Sequence, residues 1–184
     1  MREEFTRALS LIFQRLEQSP YEGPKGRAAA YQGIRNCVEI SYDASMTDQL
    51  DAHGMFHFDQ TSTRDRLEIS VSPSYSLKDD LLTALLLVHE LNPALYHATG
   101  ADQRISCFRN EADAFLATGN FMANLNPEEW DSLKARAARD PSSLASQEIQ
   151  TQYATLGAPG SDVSASALAW VQAQPAYQQE CAGR

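Results

Sequence analysis

Cysteine is scarce in this 184-residue chain: Cys37, Cys107 and Cys181 are odd in number and far apart. That pattern is no disulfide framework and favours a reducing compartment. Basic residues are also few. The 15 Lys and Arg against 24 Asp and Glu give a formal charge of −9, which argues against nucleic acid and anionic membrane surfaces as partners. No apolar run reaches bilayer length; the longest, around Leu81–Val88, is interrupted by Thr83. The opening Met1-Arg2-Glu3-Glu4 lacks the basic-then-apolar plan of a secretion signal, so the expected location is cytoplasmic. A phosphate-cradling glycine loop, a Gly-x-Ser-x-Gly elbow and a Cys-x-x-Cys pair are missing too.

What is present suits a folded domain. Apolar residues make up 43% and charged residues 21%, close to the globular average. Phe5, Leu9, Ile12, Phe13 and Leu16 recur at helical spacing until Ser19-Pro20, and a loop through Gly23, Pro24 and Gly26 is expected next. Three short runs read as strands: Cys37–Tyr42, Met55–Asp59 and Leu67–Ser72. In the last, Leu67, Ile69 and Val71 alternate with polar residues, and Gln60–Arg66 turns the second run onto the third as a hairpin. Ser76 is the expected cap of a central helix rich in leucine. A helix over Ser106–Asn124 follows. The signal Asn126-Pro127-Glu128-Glu129 then opens another helix, reaching about Arg139. Beyond Pro141 the composition turns to Ser, Ala, Gln and Gly, with one short helix expected over Val163–Val171. The expected organisation is a domain over 1–140, with its core about 37–125, and a peripheral helical tail over 141–184.

The informative segments are Leu81–Gly100, LLTALLLVHELNPALYHATG, and Cys107–Asn120, CFRNEADAFLATGN. A buried helix carrying His89-Glu90, followed by a helix opening with Asn110-Glu111-Ala112-Asp113-Ala114-Phe115, resembles the zincin metallopeptidases. Within them it is most similar to the compact members of the gluzincin branch. The resemblance implies an α+β fold with a small, mostly antiparallel sheet and packed helices. It implies zinc as cofactor, His89 and Glu111 as metal ligands and Glu90 as general base. Asp113 would orient a ligand imidazole, and Leu67–Ser72 would be the edge strand along which a peptide substrate pairs. The chemistry behind the motif is geometric. Side chains four apart on a helix share a face, so two imidazoles close on one ion, a carboxylate completes three ligands, and water takes the fourth place.

The sequence departs from the motif at one position. His89-Glu90-Leu91-Asn92-Pro93 carries proline where the second histidine belongs. Proline also removes the N–H that would bond the His89 carbonyl, at about 3 kcal/mol in a helix interior. It disfavours helical angles at Asn92, so a kink or a break is expected. His97 is the possible substitute ligand, yet on an unbroken helix it lies about 12 Å along the axis from His89. Zinc binding is therefore expected to be weak or absent, and peptidase activity impaired or lost.

Blander assignments compete with each residue. Glu111 and Asp113 are also acids favoured near a helix N-terminus, and His97 suits a last helical turn. His53 and His57, four apart in an extended run, would stand about 13 Å from each other and share no metal. Cys107 reads as structure rather than nucleophile. A second function class is a non-catalytic module that captures a peptide or protein in the groove beside strand 67–72. A third is a structural helical protein.

Overall fold

The computed structural model describes residues 1–43, 54–59, 66–73, 75, 79–140, 144–156 and 162–182. Two helices open the chain, α1 (Glu3–Glu17) and α2 (Glu22–Ile34). Strands β1 (Val38–Tyr42), β2 (Gly54–Asp59) and β3 (Arg66–Val71) follow. Six further helices complete the described chain: α3 (Asp80–Ala98), α4 (Cys107–Ala123), α5 (Pro127–Arg139), α6 (Leu144–Leu156), α7 (Val163–Ala173) and α8 (Pro175–Glu180). This is an α+β arrangement, mostly helical, with one small sheet.

The sheet corrects two expectations. Its order is β1-β3-β2, with β1 parallel to β3 (Val38↔Leu67) and β2 antiparallel to it (Phe56↔Ile69). It is therefore mixed rather than mostly antiparallel. Strand 67–72 is also not an edge, because both sides of β3 are paired. Burial of Ser70 along with Leu67, Ile69 and Val71 fits that central place. The expected turn Gln60–Arg66 lies mostly outside the described residues, as do Ser76 and His53.

Helix starts follow local chemistry. The described cap of α3 is Asp79, whose carboxylate accepts from the Leu82 N–H at 3.2 Å. Ser106 caps α4 by accepting from the Arg109 N–H. Asn126 and Glu129 form a reciprocal capping box at α5, with Pro127 in the first turn. The expected loop after Pro20 is instead helix α2. Pro24 falls in its first turn, where the missing N–H costs nothing, and Ala28–Ala30 favour the helix beyond it.

The core runs under α3. Leu81 through Val88, Leu91, Asn92 and Ala94 are all buried, so the helix is covered around most of its circumference. It lies against α1, β2 and α4, and more lightly against α2, β3 and α6. Pro93 neither ends nor divides it: α3 is continuous from Asp80 to Ala98. Buried contacts on both sides of position 93 outweigh the local penalty. Helix α2 adds polar support, with Tyr31 Oη donating to the Val88 carbonyl at 3.4 Å and Arg27 donating to Asn92 Oδ1.

The described helices within 141–184 pack on the rest of the chain. Helix α6 packs on α5, α4 and α7, and α7 packs along α4. Cys107 and Cys181 form a disulfide that ties the start of α4 to the end of α8, leaving Cys37 as the free cysteine. The expectation of a chain without disulfides is corrected here. An odd count hid one pair, since sequence spacing carries no information on spatial approach.

Glu129 has two tasks, closing the α5 capping box and receiving Arg15 of α1 through two bonds of 2.8 Å. Both groups are largely shielded from solvent. Glu129→Ala is expected to lower the free energy of unfolding by about 2 kcal/mol in urea titration, and Glu129→Gln by less.

Candidate functional site

His89 and Glu90 stand midway along α3, and Glu111 stands one turn into α4. The two helices run side by side, and His89 Nε2 lies 3.4 Å from Glu111 Oε2. Both side chains are mostly covered, at 16% and 13% exposure. The imidazole also meets the edge of the Phe115 ring, one turn beyond Glu111, with centroids 4.5 Å apart. Phe115 in turn contacts Trp170 of α7 at 5.0 Å and Tyr177 of α8 at 5.8 Å. An aromatic wall thus backs the His89–Glu111 pair.

Glu90 points differently. Its carboxylate accepts from the backbone N–H of Phe56 on β2. A Cβ placed on Gly54 would meet Leu86 Cδ1 at 2.8 Å and Glu90 Oε1 at 3.2 Å. The bare backbone of Gly54 therefore lets α3 close onto the strand. Since Phe56 N–H is turned to Glu90, it is the side of β2 away from β3 that meets α3.

Two further acids and two phenols join from elements that carried no site expectation. Glu148 of α6 lies within the field of His89 and faces Tyr75, whose Oη is 3.5 Å from Glu148 Oε1. Tyr177 feels the charges of Glu111, Glu90, Glu180 and Glu148. One histidine therefore sits among several carboxylates.

Protonation follows from that crowding. Burial pulls the His89 imidazole down, yet the Glu111 hydrogen bond and the charges of Glu90, Glu111 and Glu148 outweigh it and raise it from 6.5 to about 9. Burial pushes the Glu90 carboxyl up from 4.5 to about 7; the positive His89 and the Phe56 N–H oppose the rise, while Glu111 and Glu180 add to it. Burial also raises Glu148, against the pull of His89 and the Tyr75 hydroxyl. The His89 imidazole is thereby held toward its protonated form at neutral pH.

The other expected residues go elsewhere. His97 is eight residues along a continuous helix, and its Nδ1 is 2.7 Å from Asp102 Oδ2. It replaces no ligand beside His89. Asp113 is taken by Tyr96 Oη at 2.9 Å and Arg109 Nη2 at 2.9 Å. Two residues on a helix differ by about 200°, so Asp113 is turned from Glu111 and joins the two helices instead of orienting His89. His57 pairs across the sheet with Glu68. Among the described residues no group of three His, Cys, Asp or Glu is arranged to hold a metal ion. The donor set at His89 and Glu111 does not fit a three-ligand zinc site.

No family model, curated protein or solved structure matches the chain. The site is read from its own geometry.

Glu148, Tyr75, Tyr177 and Trp170 were missed from sequence. One signal existed: between Pro141 and Gly183 the only charged residues are Glu148, Asp162 and Glu180, all acidic. A lone acid in an otherwise uncharged helix has a specific place to go.

The raised values fix a pH dependence. The folded state holds these protons more tightly than the unfolded chain. The stabilisation is therefore complete below the unfolded values of 6.5 for His89 and 4.5 for Glu90, and it is lost as pH rises through about 9 and about 7. The free energy of unfolding should fall steadily from pH 4.5 to 9. His89→Gln should remove the part between pH 6.5 and 9, about 3 kcal/mol. Urea titrations at stepped pH check this.

Proposed function

We propose that the chain is a zincin-derived, gluzincin-like domain in which zinc-dependent peptide hydrolysis is impaired or lost, and that it captures an extended peptide or protein segment. The observation that supports this reading is the direct His89–Glu111 contact at 3.4 Å, made across neighbouring helices as the family motif requires. At position 93, where a second imidazole would complete the set, α3 carries proline without interruption. A metal must also displace the His89 proton, which at pH 7 costs about 3 kcal/mol given a value near 9. Two protein donors and a bound proton make a poor zinc site.

For capture, strand 67–72 is central and offers no edge, and the side of β2 away from β3 meets α3 through Gly54 and Glu90, so the captured segment is held by side-chain contacts rather than as an added strand. No helix among the described residues is long and apolar enough to cross a membrane. The expected cytoplasmic location rested partly on unpaired thiols. With Cys107 bonded to Cys181 that ground is removed, since disulfides persist in oxidising compartments.

Zinc titration followed by calorimetry and metal analysis tests the lineage. The natural chain is expected to take up well under one zinc, and Pro93→His to raise affinity at least roughly 100-fold. A folded Pro93→His variant that stays metal-free contradicts zincin ancestry. Peptide-array capture without zinc tests the second part. Absence of capture from such an array contradicts the binding reading.

A further inference from the structure

Residues 162–182 reach the His89–Glu111 pair from outside the main core. Their apolar contacts form a separate cluster: Ala112 and Phe115 of α4 with Ala167 and Val171 of α7 are its buried members, and Trp170 and Tyr177 sit at its margin. The large core under α3 does not include them. Two of the four buried side chains are alanine, and the larger ones around them, Phe108, Leu116, Leu168, Trp170 and Tyr177, are only partly buried, so this cluster is small beside the main core. Segments of that kind open well before the whole fold does.

Its end is held covalently. Cys181 directly follows α8 and is bonded to Cys107, the first residue of α4, one turn before Glu111. Tyr177 lies one turn before Cys181, with its ring against Phe115, the same ring that abuts His89. The bond therefore closes a short strap that brings Tyr177 and Glu180 to the charged pair.

We propose that residues 162–182 are a cover for the His89–Glu111 pair, latched by the Cys107–Cys181 disulfide and released when a dithiol reduces it. One thiolate of the dithiol attacks Cys107 Sγ, since Cys181 is the more buried partner. Cys181 leaves as a thiolate and takes up a proton. The second thiol then displaces Cys107 from the mixed disulfide, leaving two protein thiols and an oxidised dithiol. Opening exposes His89. That opening also admits peptide rests on the reading of the cleft given above.

Carbethoxylation of the intact protein by diethyl pyrocarbonate at pH 8, with excess reductant removed first and the His89 rate corrected for its neutral fraction, mapped by mass spectrometry, tests the cover. Reduction with dithiothreitol is expected to speed modification of His89 at least roughly tenfold, and Cys181→Ser to do so without reductant. Tyr177→Ala with the disulfide intact should give a smaller rise. Amide exchange in α1 and β3 should stay unchanged. An unchanged His89 rate in both the reduced and Cys181→Ser proteins overturns the proposal. So does faster exchange throughout α1 and β3, which marks loosening of the whole fold. If His89 opens as expected but peptide capture fails, the cover stands and the peptide reading falls.

Discussion

One contact between an imidazole and a carboxylate, made across two helices, organises this molecule's interior. His89 holds its place because α3 is buried around most of its circumference, leaving the side chain little choice of direction. Glu111 holds its place because the Ser106 cap sets the start of α4, and because Asp113 binds Tyr96 of α3 and Arg109. Glu148 then brings another negative charge into the field of the same imidazolium. Removing the histidine would strand those carboxylates in a poorly solvated space, the costly way to break a buried pair.

Pro93 stands one turn beyond His89 on the same helix. Restoring a histidine one turn beyond His89 would place two imidazoles on one face. Proline supplies no donor, yet it leaves the helix whole, because packing and the Tyr31 and Arg27 bonds hold α3 on either side. Glu111 lies directly against the imidazole. Glu90, the expected base, bonds Phe56 on the strand instead.

Much of the central architecture was legible from residues. Leucine density marked α3 as buried, Ser106 and Asn126-Pro127 marked two helix starts, and alternation marked Leu67–Val71 as a strand. The meeting of His89 with Glu111 is what the zincin resemblance implies. What stayed hidden was everything set by tertiary approach. Alternation cannot tell a central strand from an edge, and the edge place for 67–72 came from the zincin resemblance alone. Glycine and proline read as loop at α2, although a proline in the first helical turn is tolerated. The low-complexity composition after Pro141 concealed α6 and α8, though the helix expected over Val163–Val171 is α7, since small residues pack helices closely without a strong apolar stripe. Glu148, Tyr177 and the disulfide went unseen with them.

The central claim is that Glu111 and its neighbours keep His89 protonated through neutral pH despite burial. Heteronuclear NMR titration of the His89 imidazole tests it most directly. The account predicts a midpoint at about 9 that falls markedly in Glu111→Gln. A midpoint at or below the ordinary value of about 6.5, unmoved by that substitution, would contradict it.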